Sequence, residues 1–264
     1  MVLAGKKTAS VADLLFDLSD SLSSSTNFQI GSFYEFVRDL WSRGYDNPEY
    51  FGAWHVGVIC DDLERCINEG IFYCAILPRT FFNTTVLRPA FSVWWNLKYT
   101  SRGSHSSMLY LSYSDTVAQY HIAETKMAIR RNEALLEYMK DKVPKADSSF
   151  RYTSNNRDIR TIHGGVFSFK RGIHTNGMIA DDILKDPEAV DINVKNVQLD
   201  KIEEHFMNES MFIPNKGTPI VVLGTPMTPD DLLTNLKNDE RFFVRVLPAL
   251  DPVPDRKVLM PELY

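Results

Sequence analysis

Two hundred and sixty-four residues fill one large α/β domain or two small ones, and 44% hydrophobic with 24% charged residues is the composition of an ordinary globular chain with ample core material. Global disorder, collagen and coiled coil are excluded. A net charge of -5, from 29 Lys+Arg against 34 Asp+Glu, gives no overall basic field, so contact with nucleic acid has to come from a local patch or a multi-subunit surface.

Cys60, Cys66 and Cys74 are odd in number and lack the paired spacing of a zinc site, which points to a reducing compartment. No window reaches the roughly 18 to 20 uninterrupted apolar residues of a membrane span, and the first residues do not read as a signal peptide. The expectation is a soluble, intracellular protein.

Residues 1–30 are small, polar and Ser-rich and read as an N-terminal arm. Apolar residues then recur at helical spacing over Phe33–Trp41 and Trp54–Ile67, with Gly70 as C-cap, predicting two helices before the first strand. That strand is Ile71–Leu77, a continuous β-favouring run of the kind buried on both faces of a parallel sheet. A loop, Pro78–Thr85, leads into a Trp-containing helix.

The unit repeats with a strand over Met108–Ser114 and one long helix from an Asp115 N-cap to Met139, burying Ala118, Ile122, Ile129, Leu136 and Met139. Lys140–Arg160 reads as a polar segment, followed by strand character in TIHGGVFSF and a short run, GMIADDIL (Gly177–Leu184). A polar helix over Val197–Glu209 precedes an apolar strand, Pro219–Thr225; a short helix around Asp230–Leu236 and a strand from Phe242 to Leu250 close the series. The alternation predicts an open, mainly parallel α/β sheet with helices on both faces.

Ligands of such sheets sit beyond the carboxyl ends of the strands. Pro78–Thr85 has the layout of a P-loop, an apolar strand and a loop ending in hydroxyl residues at a helix mouth, where backbone N–H groups favour phosphate. The usual Gly-Lys-Ser/Thr ending reads Phe82, Asn83 and Thr84 here, and Arg79 supplies a cation at the start; alone, the stretch equally describes an ordinary strand-to-helix turn. Asp181 and Asp182 at the end of an apolar strand fit a Walker B pair, one carboxylate for Mg²⁺ and the next for the attacking water, or simply two solvated acids. With a third strand ending in Gly224 and Thr225, the order is that of an additional-strand, RecA-like P-loop NTPase.

In this order the chain resembles the large terminase subunit of tailed bacteriophages, the motor that packages DNA. FGAWHVGVICDDLERCINEG resembles the segment preceding the ATPase core, ILPRTFFNTT the family's variant P-loop, and MLYLSYSDTVAQYHI its Ser-rich strand and helix. FKRGIHTNGMIADDILKDP is similar to the approach to Walker B, VVLGTPMTPDDLL to the coupling motif, and LPALDPVPDRKVLMPELY to the segment joining ATPase and nuclease. The resemblance implies an ATPase domain over 31–250 and a linker over 251–264, with the nuclease domain following Tyr264.

It further implies MgATP as the bound nucleotide. Pro78, Arg79, Thr80, Asn83, Thr84 and Thr85 would cradle it, with Thr84 and Asp181 on the metal, Asp182 as general base, Thr225 as coupling residue and Arg79 as a catalytic cation. Trp54 and His55 would lie near the adenine, or pack in the core. The family's P-loop lysine is Asn83 here, which gives a hydrogen bond without the charge, and Phe82 stands in place of glycine; weak hydrolysis is expected. Arg157, Arg160 and Arg171 are the places for a trans-acting arginine finger, and Arg130, Arg131 and Lys140–Lys145 for contacts with phosphate backbone, each also readable as solvated charge.

The implied partners are double-stranded DNA, the portal protein and the small terminase subunit, with a homo-oligomeric ring on the capsid, a monomer in isolation, no membrane, and the host cytoplasm as compartment. Two other readings stay open: a nucleotide-independent RecA-like assembly or DNA-binding module, and a helicase-type ATPase.

Overall fold

The computed structural model describes residues 30–78, 83–100, 104–139, 150–154, 157–168, 172–185 and 192–248. Those from Gly31 onward belong to one unit. Of the arm over 1–30 only Ile30 lies within the described residues, and the linker over 251–264 lies outside them.

The chain enters through a capping box: Ser32 Oγ accepts from the Glu35 N–H, and Glu35 Oε2 accepts from the Ser32 N–H. The helix expected over Phe33–Trp41 does not persist. One α-turn, Phe33–Glu35, passes into a π-turn over Phe36–Leu40 and a 3₁₀-turn over Trp41–Gly44. The burial still follows the predicted stripe: Phe33, Phe36, Val37, Leu40 and Trp41, at i, i+3, i+4, i+7 and i+8, are all buried. Gly44 lies so close to the next layer that a Cβ there would stand 2.6 Å from the Ala128 carbonyl oxygen.

The second helix forms as the periodicity requires, over Trp54–Glu69, and ends at Gly70 in the left-handed conformation (φ 71°). Strand β1 (Phe72–Ile76) follows, then the Asn83–Tyr99 helix, β2 (His105–Ser112) and the Asp115–Arg131 helix. Ser114, not Asp115, caps that helix by accepting from the Val117 N–H. Asp115 instead accepts from the Gly165 N–H and the Ser168 hydroxyl, and so ties the end of one strand to the start of this helix.

The long helix expected to Met139 breaks at Asn132. Its side-chain amide donates to the Leu40 carbonyl at 2.7 Å, and its Oδ1 accepts from the Leu135 N–H to start a second helix, Glu133–Met139. The break turns Leu135, rather than the predicted Leu136, into the core. Asparagine does this readily because its short amide competes with the helix for backbone partners.

Part of the segment read as polar is β-structure: β3 (Phe150–Ser154) pairs antiparallel with β4 (Arg157–Gly165). Then come β5 (Met178–Asp181), the Ile192–Asn208 helix, β6 (Ile220–Gly224), a short helix over Leu232–Asn235, and β7 (Phe242–Val246). The order across the sheet is β3-β4-β2-β5-β6-β1-β7, with every pair but β3–β4 parallel. Strand β6 therefore stands between β1 and the acid-tipped β5, which is the inserted strand expected from the sequence.

Side chains alternate across this sheet. Cys74, Ile76, Leu109, Leu111, Met178, Ala180, Ile220 and Val222 join an aliphatic core with Leu199, Ile202, Phe206, Leu232 and Leu236. The intervening residues, Tyr73, Tyr110, Ile179, Asp181 and Val221, serve the opposite face. There Phe91 and Trp94 of the Asn83–Tyr99 helix meet Phe33, with Phe33 and Trp94 centroids 5.0 Å apart. No helix among the described residues is long and apolar enough to cross a membrane.

Candidate functional site

The parallel direction of β1, β2, β5 and β6 brings their carboxyl ends to one edge, and the backbone there is clasped. Leu77, just past β1, donates its N–H to the Gly224 carbonyl (3.2 Å), and Thr225 Oγ1 donates to the Leu77 carbonyl (2.9 Å). Asp182 N–H donates to the Leu223 carbonyl (3.0 Å). Three of the places singled out in the sequence thus meet: the P-loop strand, the paired acids and the Gly224–Thr225 turn.

The two aspartates part ways at the end of β5. Asp182 has φ 46°, the left-handed region that a non-glycine residue occupies at a cost on the order of 1 kcal/mol. Its carboxylate lies near Gly224: an added Cβ there would be in ordinary contact with Asp182 Oδ1 at 3.5 Å and tighter against Leu233 Cδ1 at 3.0 Å. Asp182 is half-buried, whereas Asp181 is 1% exposed and faces the other way into the protein.

Asp181 is already engaged. Its Oδ2 accepts from Arg88 Nη1 at 3.1 Å and from the Tyr110 hydroxyl at 2.9 Å. Arg88, on the second turn of the Asn83–Tyr99 helix, is 4% exposed, and its guanidinium also stands 5.7 Å from the Tyr110 ring centroid. Tyr110 Oη lies 2.6 Å from His121 Nδ1. A phenol has one proton, and Tyr110 gives it to Asp181; His121 therefore donates from Nδ1, which fixes its tautomer. The chain of contacts runs Arg88, Asp181, Tyr110, His121.

Burial sets the protonation of this network. It pushes the Asp181 carboxyl above the ordinary carboxylate range, while Arg88 and the Tyr110 hydrogen bond pull it back down. Burial, aided by the Arg88 charge, lowers His121 from 6.5 to about 3, so the imidazole is neutral and its 3.8 Å approach to Asp181 is not an ion pair. The Tyr110 hydroxyl is raised well above its usual value, by burial first and the Asp181 charge second. Burial works against the charge on Arg88, and Tyr110 and Asp181 outweigh it.

Two groups have to be tested against this geometry. For a nucleotide phosphate, the first turn of the 17-residue Asn83–Tyr99 helix offers backbone N–H groups, while the loop joining it to β1 lies outside the described residues. A hydrated Mg²⁺ does not fit Asp181 as it stands, because Mg²⁺ keeps several waters in octahedral array and this carboxylate is buried with Oδ2 spoken for. Among the described residues no group of three or more His, Cys, Asp or Glu side chains could hold a metal.

Of the other predicted positions, Arg79 and Thr80 lie outside the described residues, as do the side chains of Asn83, Thr84 and Thr85; Pro78 is half-buried at the end of β1. Trp54, 48% exposed, opens its helix and offers a ring surface, whereas His55 is 2% exposed and packs edge-on to it, 6.0 Å between centroids. A ligand can therefore reach Trp54 but not His55. Arg160 is exposed on β4 and Arg130 and Arg131 end their helix in solvent, while the side chains of Arg157, Arg171 and Lys140–Lys145 lie outside the described residues.

Sequence reasoning missed Arg88, Tyr110 and His121. Signals existed: an arginine between Leu87 and Pro89-Ala90-Phe91, a tyrosine in mid-strand, and a histidine one residue from the buried Ile122. A charged or polar group on an apolar face calls for a partner, although nothing in the sequence says which.

No protein-family model and no curated protein matches the chain. Among solved structures it is similar to the large terminase of bacteriophage HK97, with 10% identity over 86% of this chain and 46% of that one, at a TM-score of 0.52. It also matches the large terminase of a thermophilic bacteriophage in complex with ATP-γ-S, at 15% identity over 69% of this chain and 40% of that one (TM-score 0.43). A third match is the N-terminal domain of the DNA packaging ATPase from bacteriophage phi29, at 8% identity over 72% of this chain and 97% of that one (TM-score 0.41). The HK97 likeness shows a large-terminase-like, RecA-like fold. The chain spans about half the length of the HK97 protein.

Proposed function

We propose that this large-terminase-like fold is the ATPase domain, over 31–250, of a viral DNA-packaging motor that hydrolyses ATP and couples the change to movement of double-stranded DNA into a capsid. The supporting observation is the meeting of Leu77, Asp182 and Thr225 at one sheet edge.

Asp182 is the group for the attacking water. It is the accessible acid of the pair, and its backbone turns it toward the end of β6. Proton acceptance by a carboxylate and in-line attack by water at the γ-phosphorus follow from that position. The phosphates lie along Pro78, Arg79, Thr80, Asn83, Thr84 and Thr85, with Arg79 and the helix dipole supplying positive charge where Asn83 supplies none. Trp54 stacks on the adenine.

Thr225 is the coupling residue. Its hydroxyl bridges from β6 to the carbonyl that precedes the P-loop, so a shift of the loop on loss of γ-phosphate is felt at β6. The motor works as a ring on the capsid with the portal protein, the small terminase subunit and DNA as partners, in the host cytoplasm.

Binding of ATP with Mg²⁺ by calorimetry, on the chain as it stands and on Asn83→Lys, followed by steady-state hydrolysis, tests this reading. Tighter binding and at least tenfold faster turnover in the lysine variant are expected, about 1.4 kcal/mol or more. If neither form binds nucleotide, the proposal fails and a nucleotide-independent assembly module takes its place. Dependence of turnover on portal or capsid separates a packaging motor from a helicase.

A further inference from the structure

Resting on the sequence reading of Asp181 as the metal-side carboxylate, we propose that Arg88 is the resident counter-cation of Asp181 and closes that carboxylate to divalent metal. Asp181 becomes a cation ligand only when the guanidinium moves off Oδ2.

Three observations carry this. First, the pairing is made inside the protein: Arg88 and Asp181 side chains are 5% and 1% exposed, and their contact is 3.1 Å. A buried carboxylate needs a cation, and one is already in place. Second, the pair is poorly suited to stabilising the fold alone. Arg88 Nη1 meets Oδ2 singly rather than in the two-bond fork that guanidinium and carboxylate prefer, and among the described residues buried Nε finds no acceptor. A contact this incomplete is one that can be exchanged. Third, Arg88 has a second place to rest, since it already stands by the Tyr110 ring while Tyr110 hydrogen-bonds Asp181 independently. The carboxylate is thus held in position by Tyr110 when the guanidinium leaves.

Manganese alone is the probe, without nucleotide, because it substitutes for Mg²⁺ and its free form is read directly by electron paramagnetic resonance. The wild-type chain is expected to take up no Mn²⁺ that depends on Asp181; uptake that persists in Asp181→Asn belongs elsewhere and is subtracted. Arg88→Met, close in length and without charge, is expected to bind Mn²⁺ on the order of tenfold more tightly or better, and Arg88→Met/Asp181→Asn to lose that gain. A purely structural arginine would produce no such gain.

Uptake by the wild type that Asp181→Asn abolishes overturns the proposal, as does a folded Arg88→Met with no added affinity. If Arg88→Met is unfolded without metal, its thermal melt decides: recovery of a cooperative transition with Mn²⁺, absent from the double variant, supports the proposal, and no recovery overturns it. The outcome is independent of ATP. Failure to bind ATP removes the proposed function and leaves the metal result standing, and the reverse also holds.

Discussion

The two faces of one sheet are built to opposite rules. On one, Leu109, Leu111, Met178, Ala180 and Val222 meet Leu199, Ile202, Phe206 and Leu236 with no charge among them. On the other, the neighbouring residues of the same strands, Tyr110 and Asp181, meet Arg88 and His121. Because successive side chains point to opposite sides, a slip of one residue in β5 would put Asp181 into the aliphatic core and Ala180 against Arg88. The aliphatic face stabilises without direction. The polar face holds one carboxylate in one place, at the edge where the chemistry is proposed.

The largest expected effects come from breaking each face at its centre. Phe206→Ala should lose about 3 to 5 kcal/mol in urea denaturation from lost burial and the cavity left behind, and no single second change should recover it. Arg88→Met should lose a similar amount, about 3 to 5 kcal/mol, by leaving Asp181 buried and uncompensated, but here Asp181→Asn should restore most of it. Similar losses on both faces, with repair on only one, would establish the difference; repair on neither would break it.

Acid should separate the faces next. His121 binds a proton near 6.5 in the unfolded chain and only near 3 in the folded one, so its contribution is present at neutral pH and is lost as pH falls through that window. Between pH 7 and pH 5 this amounts to about 2 kcal/mol. The Asp181 carboxyl, pushed up by burial, acts in the opposite sense. Comparing wild type with His121→Gln in urea titrations at both pH values isolates the histidine; an identical pH slope in the two would sink the prediction.

Thr225→Val should have the smallest effect, about 1 kcal/mol from loss of the bond to the Leu77 carbonyl. Its value lies in the ratio. Coupling through that hydroxyl predicts that DNA movement per ATP falls far more than stability or ATP binding does.

Much of the fold was legible because its signals are local. Ile71–Leu77 and Pro219–Thr225 are short apolar runs bounded by turn residues, and each contains a buried parallel strand, β1 and β6, shorter by one residue at each end. Gly70 ends its helix where a glycine is needed. Other elements answered to distant partners: Asn132 breaks a helix for the Leu40 carbonyl, and β3 exists as the antiparallel partner of β4. Of the site, the clasp from Thr225 to Leu77 follows from strand order, while the burial of His55 and the pairing of Asp181 do not.

By itself the sequence determined the alternation of strands and helices, the inserted strand, and the positions at strand ends where paired acids and a hydroxyl residue fall, since periodicity and turn chemistry act over a few residues. Only the tertiary structure decided what Asp181 touches. Arg88 is 93 residues away from it and Tyr110 is 71, and the contact arises from the register of β2 beside β5 and the pitch of one helix laid across them. A buried charge requires a partner wherever the chain can bring one, and that requirement is met in space.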